Sequence, residues 1–258
     1  MSPSEPTSIS IVRSPDARDA LKSTPVGLMS ETNKRIGARL SEVILGGQDG
    51  LVNTMGVILG IAAATSDTRI IIAGGLAATF AESISMAAVA YTSTLADLDF
   101  YRAERAREYR EIEEIPESEE QELRDIFSRW GFEGRLLEDM IAHISQNKDH
   151  WVDIMMAHEL ELQPIEARGL VPTAALVGFS AVVGSFIPLL PFFFAPPETA
   201  RWVALGISAV ALFVVGAVKA RLTIGHPGRS GLQMMLIGML SALAGYAIGA
   251  FFGAQPGG

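Results

Sequence analysis

The sequence contains no cysteine. That absence excludes disulfide frameworks, zinc ribbons, iron-sulfur clusters and thiol catalysis, and it leaves oxygen, imidazole and thioether groups as the available metal ligands. Histidine is nearly as scarce, and His143, His150, His158 and His226 all fall outside the long apolar runs. The positions three before them are Met140, Asn147, Met155 and Thr223, so no Glu-x-x-His pair exists and a ferritin-type di-iron site is excluded. There is no Walker loop, His-Glu-x-x-His pair or Gly-x-Ser-x-Gly elbow, so an enzyme of those kinds is not expected. Basic residues are in deficit, with 20 Lys and Arg against 29 Asp and Glu. Nucleic acid is therefore not an expected partner, because its phosphates need a basic surface. A cationic ligand suits the balance better.

Long stretches also lack any polar face. The 258 residues are 49% apolar, with a mean hydropathy of +0.30, and five runs near 43 to 65, 69 to 95, 170 to 195, 200 to 220 and 231 to 253 are apolar all round. Each meets the length of roughly 20 residues that a helix needs to cross a bilayer. The expected fold is all-α, a polytopic membrane protein of five transmembrane helices. A helical insert separates the second span from the third.

Four segments follow: a tail at 1–40, spans one and two within 41–95, the insert at 96–168, and spans three to five within 169–258. Met1 to about Gly27 is rich in Ser, Pro and charge and has no signal-peptide core, which predicts a disordered cytosolic tail. The insert carries 20 Asp and Glu against 9 Arg and Lys. Lys and Arg divide 18 to 2 between the two sets of loops, with only Arg69 and Arg201 on the minority side. By the positive-inside rule the N-terminus and insert are cytosolic and the C-terminus lies outside, in agreement with an odd number of spans.

Ala96 follows the second span without a Gly or Pro, so that span is expected to run on into the insert as one helix. Pro116 breaks it; further helices are predicted over Ser118 to Trp130, Arg135 to Ser145 and about Asp149 to Leu162. Ser118 with Gln121 reads as a capping box, and Gly131 to Gly134 as a turn. The prolines from Pro188 to Pro197 are expected to kink or end the third span. Gly245, Gly249 and Gly253, four apart, admit close approach of another helix, from the same subunit or its twin.

Ionisable groups within spans are costly and usually face a bundle interior or a water path. Asp49 sits in Gly46-Gly47-Gln48-Asp49-Gly50, where glycines allow close approach or local unwinding. Asn53 follows one turn later, and Glu42 lies seven residues before Asp49 on nearly the same face. Glu42 also fits an ordinary headgroup-level charge. In the second span Glu82 and Met86 are one turn apart, joining a carboxylate to a thioether, a donor set suited to a borderline ion such as Fe(II); a lone Met is equally packing filler.

In the insert Glu104, Glu108 and Glu111 form a single helical stripe, followed by Glu113 and Glu114. The interleaved Arg105, Arg107 and Arg110 leave open a plain solvated face. Met155 and Met156 precede Glu159 by four and three residues, repeating the Met and Glu combination.

Asp49-Gly50-Leu51-Val52, then Ile84-Ser85-Met86, then Met155-Met156-x-x-Glu159-Leu160, then Ile187-Pro188-Leu189-Leu190-Pro191 resemble, in order and spacing, the signatures of the vacuolar iron transporter family over about residues 40 to 253. The resemblance implies a homodimer of five-helix subunits, an ion path along the dimer interface, and a cytosolic metal-binding insert. It implies movement of Fe(II), and often Mn(II), out of the cytosol in exchange for protons, with no cofactor beyond the bound or transported ion. Asp49 and Met86 match the family's mid-membrane ligands, and Glu42 lies near its acidic entrance. Glu104, Glu108, Glu111, Glu114, Met155 and Glu159 fall on or near its cytosolic ligands. One departure stands out: Ala78 occupies the place of an expected glutamate, and Glu82 stands one turn further on. A bacterial inner membrane is expected rather than a vacuole. The rival expectation is a membrane-anchored metal sensor or buffer, which would have no use for Asp49 and Glu82.

Overall fold

The computed structural model describes residues 25–165, 167–222 and 225–253, with side-chain surroundings from Leu40 onward. Most of the expected tail thus lies outside the described residues. Among the described residues eight α-helices follow in order: α1 Pro25–Ala64, α2 Thr68–Glu114, α3 Pro116–Arg129, α4 Gly134–Ile144, α5 Lys148–His158, α6 Leu170–Leu189, α7 Pro197–Leu222 and α8 Pro227–Gly253. No strand occurs among the described residues. Five helices are long and apolar enough to cross a membrane: α1 from Leu40, α2, the segment containing α6, α7 and α8. Helices satisfy every interior backbone group within the segment, which hydrocarbon cannot do for them. Residues such as Ile84, Phe179 and Leu240, about two-thirds exposed, then face lipid. The chain is a multi-pass helical membrane protein.

α1 is the centre of the bundle, packing on α6, α8, α2 and α7. Its glycines explain how one helix reaches so many neighbours. On one side a Cβ at Gly46 would strike the Val177 carbonyl, one at Gly50 the Ala181 carbonyl, and one at Gly184 the Gly47 carbonyl. On the other side a Cβ at Gly245 would strike the Gly56 carbonyl, one at Gly249 the Gly60 carbonyl, and one at Gly253 would lie 2.6 Å from Ala64 Cα. The three glycines of α8 are therefore filled by α1 of the same subunit. Where unwinding or close approach were both open at Gly46 to Gly50, α1 stays helical throughout, and close approach is the outcome.

α2 is one helix of 47 residues, as expected from the absence of a breaker. Asp67 caps its start by accepting a hydrogen bond from the Arg69 backbone N–H at 2.8 Å. Its distal half packs with α3, α4 and α5 around a separate core that includes Tyr101, Ile112, Leu123, Phe127, Trp151 and Val152. Polar ties add to that core: Lys148 to Glu113 at 2.7 Å, Arg105 to Asp153 at 3.1 Å, and Tyr109 donating to Asp149.

Three local expectations change. α3 starts at Pro116 with Ile115 before it and no side-chain cap. Proline at the first helical position, where no N–H bond is needed, displaces the Ser118 and Gln121 capping box. α5 ends at His158, short of Leu162, because Glu161 takes a positive φ of 54° and ends regular helix there. α1 begins at Pro25, so the latter part of the expected tail is helical. Pro188 is carried inside α6, which gives way to a 3-10 turn at Leu190–Phe193.

Candidate metal sites

Two groups of carboxylates emerge. In the membrane-spanning part, α1 supplies Asp49 and Asn53 one turn apart, and α2 supplies Glu82. Asp49 and Asn53 are near enough to the Glu82 carboxyl to act on it electrostatically. Close packing of α1 on α6, and of α6 Gly178 against Ser83 and Ala87 of α2, fixes the spacing of the two carboxylate-bearing helices. Met86 is half-buried one turn beyond Glu82 on α2, while Asn53 is exposed on the bundle surface. Glu42, seven residues before Asp49, accepts a hydrogen bond from the Thr173 hydroxyl near the start of α6 at 3.3 Å.

The second group lies on the insert. Glu104, Glu108 and Glu111 share a stripe of α2, and all three reach Arg107, at 3.0, 3.7 and 3.3 Å respectively. Glu108 is 1% exposed and Glu119, from α3, is 3% exposed. Each has one enclosed carboxylate oxygen without a hydrogen-bond partner. Glu122, also from α3, lies close to Glu159 at the end of α5. Carboxylates from three helices thus approach one another with Arg107 as the nearby cation. Among the described residues, no three carboxylates or imidazoles are drawn tightly enough together to enclose an ion. Mutual repulsion accounts for that spacing.

Glu119 and Glu122 were missed in the sequence, although their i, i+3 spacing was a visible signal. Glu114, in contrast, is exposed at the end of α2. Met155 and Met156 are 0% and 1% exposed within the insert's hydrophobic core, so packing alone accounts for both thioethers.

The electrostatics follow from burial. Burial pushes the Glu108 carboxyl up, with Glu111 adding to it and Arg107 opposing it. Burial, then Glu122 and Glu108, pushes Glu119 up to about 7. Partial burial, then Glu122 and Glu108, pushes Glu159 up to about 7.

Glu119 keeps its proton in the folded chain over a range where the unfolded chain has released it. Stability from that proton is fully present below the ordinary value of 4.5 and is lost as pH rises through about 7. The thermal midpoint of metal-free protein is therefore expected to fall between about pH 5 and pH 8. Glu119→Gln, which cannot ionise, is expected to flatten that slope, and an unchanged slope in thermal melts would contradict the assigned cause. A divalent cation should reverse the loss at the alkaline end, because it stabilises the ionised form.

A polytopic helical bundle with paired carboxylates in its spans and a carboxylate-lined insert defines a membrane protein suited to cations. Comparison with known proteins sharpens that class. The profile of the VIT family matches residues 40–250. The chain is 30% identical to vacuolar iron transporter 1 of Oryza sativa subsp. japonica over 213 residues, covering 82% of this chain and 84% of that protein. It is 32% identical to vacuolar iron transporter 1 of Tulipa gesneriana over 208 residues, covering 80% and 84%. It is 28% identical to the vacuolar iron transporter of Plasmodium falciparum (isolate 3D7), covering 81% of each. The chain belongs to the VIT family.

Proposed function

We propose that the protein carries Fe(II), Mn(II) or both across a membrane, out of the cytosol and against a return flow of protons, for metal detoxification or storage. The observation that carries this reading is the nearness of Glu82 on one spanning helix to Asp49 and Asn53 on another. Two neighbouring carboxylates within spanning helices favour a shared proton or a bound cation. Exchange of one for the other is the elementary step of a metal and proton antiporter. Met86, one turn from Glu82, adds a thioether that favours a transition ion over Mg(II) or Ca(II), which take oxygen ligands. Glu82 thereby takes the part of the glutamate missing at Ala78.

The insert is the cytosolic collector in this reading. Its excess of negative charge raises the local concentration of cations, and Glu108, Glu111, Glu119, Glu122 and Glu159 supply oxygen ligands once a cation screens their repulsion. Glu104 stands at the edge of this set, and Glu42 receives the ion at the mouth of the spans. The unpartnered oxygens of Glu108 and Glu119 support this role. A groove along α1 and α8, with Asn53 at one end and Gly56, Gly60, Gly245 and Gly249 along it, offers a second copy a seat beside Asp49. That supports a homodimer with the ion path at its interface. The relatives' names and the bundle together favour a vacuolar membrane in a eukaryote or the cell membrane in a bacterium.

The test is proteoliposomes holding a pH-sensitive dye, given Fe(II) or Mn(II) under anaerobic conditions. Metal entry with proton movement in the opposite direction is expected. Metal binding without flux would return the protein to the alternative reading, an anchored sensor or buffer.

A further inference from the structure

Arg201 is a charged group of the bundle that neither carboxylate site uses. Arg201 lies one turn into α7, after the turn that ends α6, and so at the end of the bundle remote from the insert. There a cleft of about 160 Å³ opens between α1, α7 and α8, with Leu59, Leu205, Met239, Ala242 and Leu243 as its apolar wall and Arg201, Trp202 and Tyr246 completing it. This is room for an apolar group of about benzene's size, or a few methylenes.

Arg201 Nε is enclosed without a hydrogen-bond partner among the described residues, and the guanidinium lies 5.8 Å from the centroid of the Trp202 ring. Glu198, three residues earlier, is exposed and forms no ion pair with it among the described residues. An enclosed guanidinium nitrogen without an acceptor is costly, and the planar donor fork of arginine fits a phosphate. Trp202 is the only tryptophan in the spans, since Trp130 and Trp151 belong to the insert. Trp202 is 67% exposed and Tyr246 43% exposed. Such rings collect at the headgroup level of a bilayer. Charge, aromatic neighbours and apolar wall are therefore arranged as a lipid is, from headgroup to chain.

We propose that this cleft binds a glycerophospholipid, its phosphodiester accepting hydrogen bonds from the Arg201 guanidinium and the first part of one acyl chain lying on the apolar wall. A free phosphate would use Arg201 and leave the wall uncovered, whereas a diacylglycerol would use the wall alone.

Native mass spectrometry of the purified full chain, titrated separately with dioleoylphosphatidylglycerol, dioleoylglycerol and inorganic phosphate, tests this. One retained phospholipid per chain is expected. Its affinity should fall about tenfold or more in Arg201→Gln, the loss of roughly one charge-assisted bond, and be partly kept in Arg201→Lys. Leu243→Trp, at an exposed position on the wall, should also weaken the phospholipid while leaving the guanidinium in place. Equal phospholipid binding by wild type and Arg201→Gln would overturn the proposal. So would dioleoylglycerol binding as tightly as the phospholipid, or inorganic phosphate competing fully, which would mark a free-anion site. A change in dimer fraction in Arg201→Gln without a change in lipid binding would assign the cleft to a second copy instead.

Discussion

Asp49→Ala is expected to reduce Fe(II) flux in proteoliposomes to the level of protein-free vesicles, while the variant still purifies with the size of the wild type. The side chain is half-buried on the surface of α1, and its neighbours Gly46, Gly47 and Gly50 make the contacts with α6. Truncation at Asp49 therefore removes a ligand without touching the packing that holds the helix. It also leaves Glu82 without its carboxylate partner, so that the shared proton and the cation lose their common seat together. Asp49→Asn separates the two roles, since the amide can still donate to the nearby Glu82 but cannot balance a divalent charge. It should bind metal poorly and show no metal-driven proton movement. Glu82→Gln should be milder, because Asp49 and Met86 remain. Transport by Asp49→Ala at the wild-type rate would remove Asp49 from the ion path altogether.

How far these sites were legible in the sequence depended on whether one helix or several had to be known. Five apolar runs and an unbroken second helix are one-dimensional signals, and α2 emerges at the length that the absence of Gly and Pro after Ala96 demands. Asp49 was visible because charge in a span is conspicuous. Its partnership with Glu82 was not, since periodicity fixes a face on each helix but never which faces meet. The same limit hid Glu119 and Glu122. They share α3 with a run of other acids, and only the fold of α3 back on α2 picks out Glu119 by burying it to 3% exposure. Met155 shows a further limit. Spacing relative to Glu159 suggested a ligand, but a thioether is also an apolar side chain, and the insert needed one for its core. The α8 glycines could not be assigned a partner from their spacing, because the complementary run Gly56, Gly60 and Ala64 on α1 is read only once the two helices are side by side.

That pairing carries the largest expected effect on stability. A Cβ at Gly249 would be driven into the Gly60 carbonyl, and the atoms it meets next are also Gly60 backbone. A flexible side chain could swing aside; a helical backbone cannot, short of moving α1 as a whole. Overpacking in a well-packed interior costs about 1–3 kcal/mol when side chains absorb it, so Gly249→Val should exceed that range. Gly206→Ala on α7 is the control, since nothing lies within 4 Å of its would-be Cβ. There the helix should gain up to about 1 kcal/mol from the lost backbone freedom of glycine. Thermal melts in detergent are expected to show a large fall for Gly249→Val and no fall for Gly206→Ala. Because α1 holds α8 on one side and α6 on the other, displacing it at Gly60 also strains the contacts at Gly46 and Gly50 that position Asp49. Whatever Gly249→Val survives folding should therefore transport more slowly than its folded fraction alone explains. Flux that simply tracks the folded fraction would mean that α1 yields locally at its far end and leaves the carboxylate site in place.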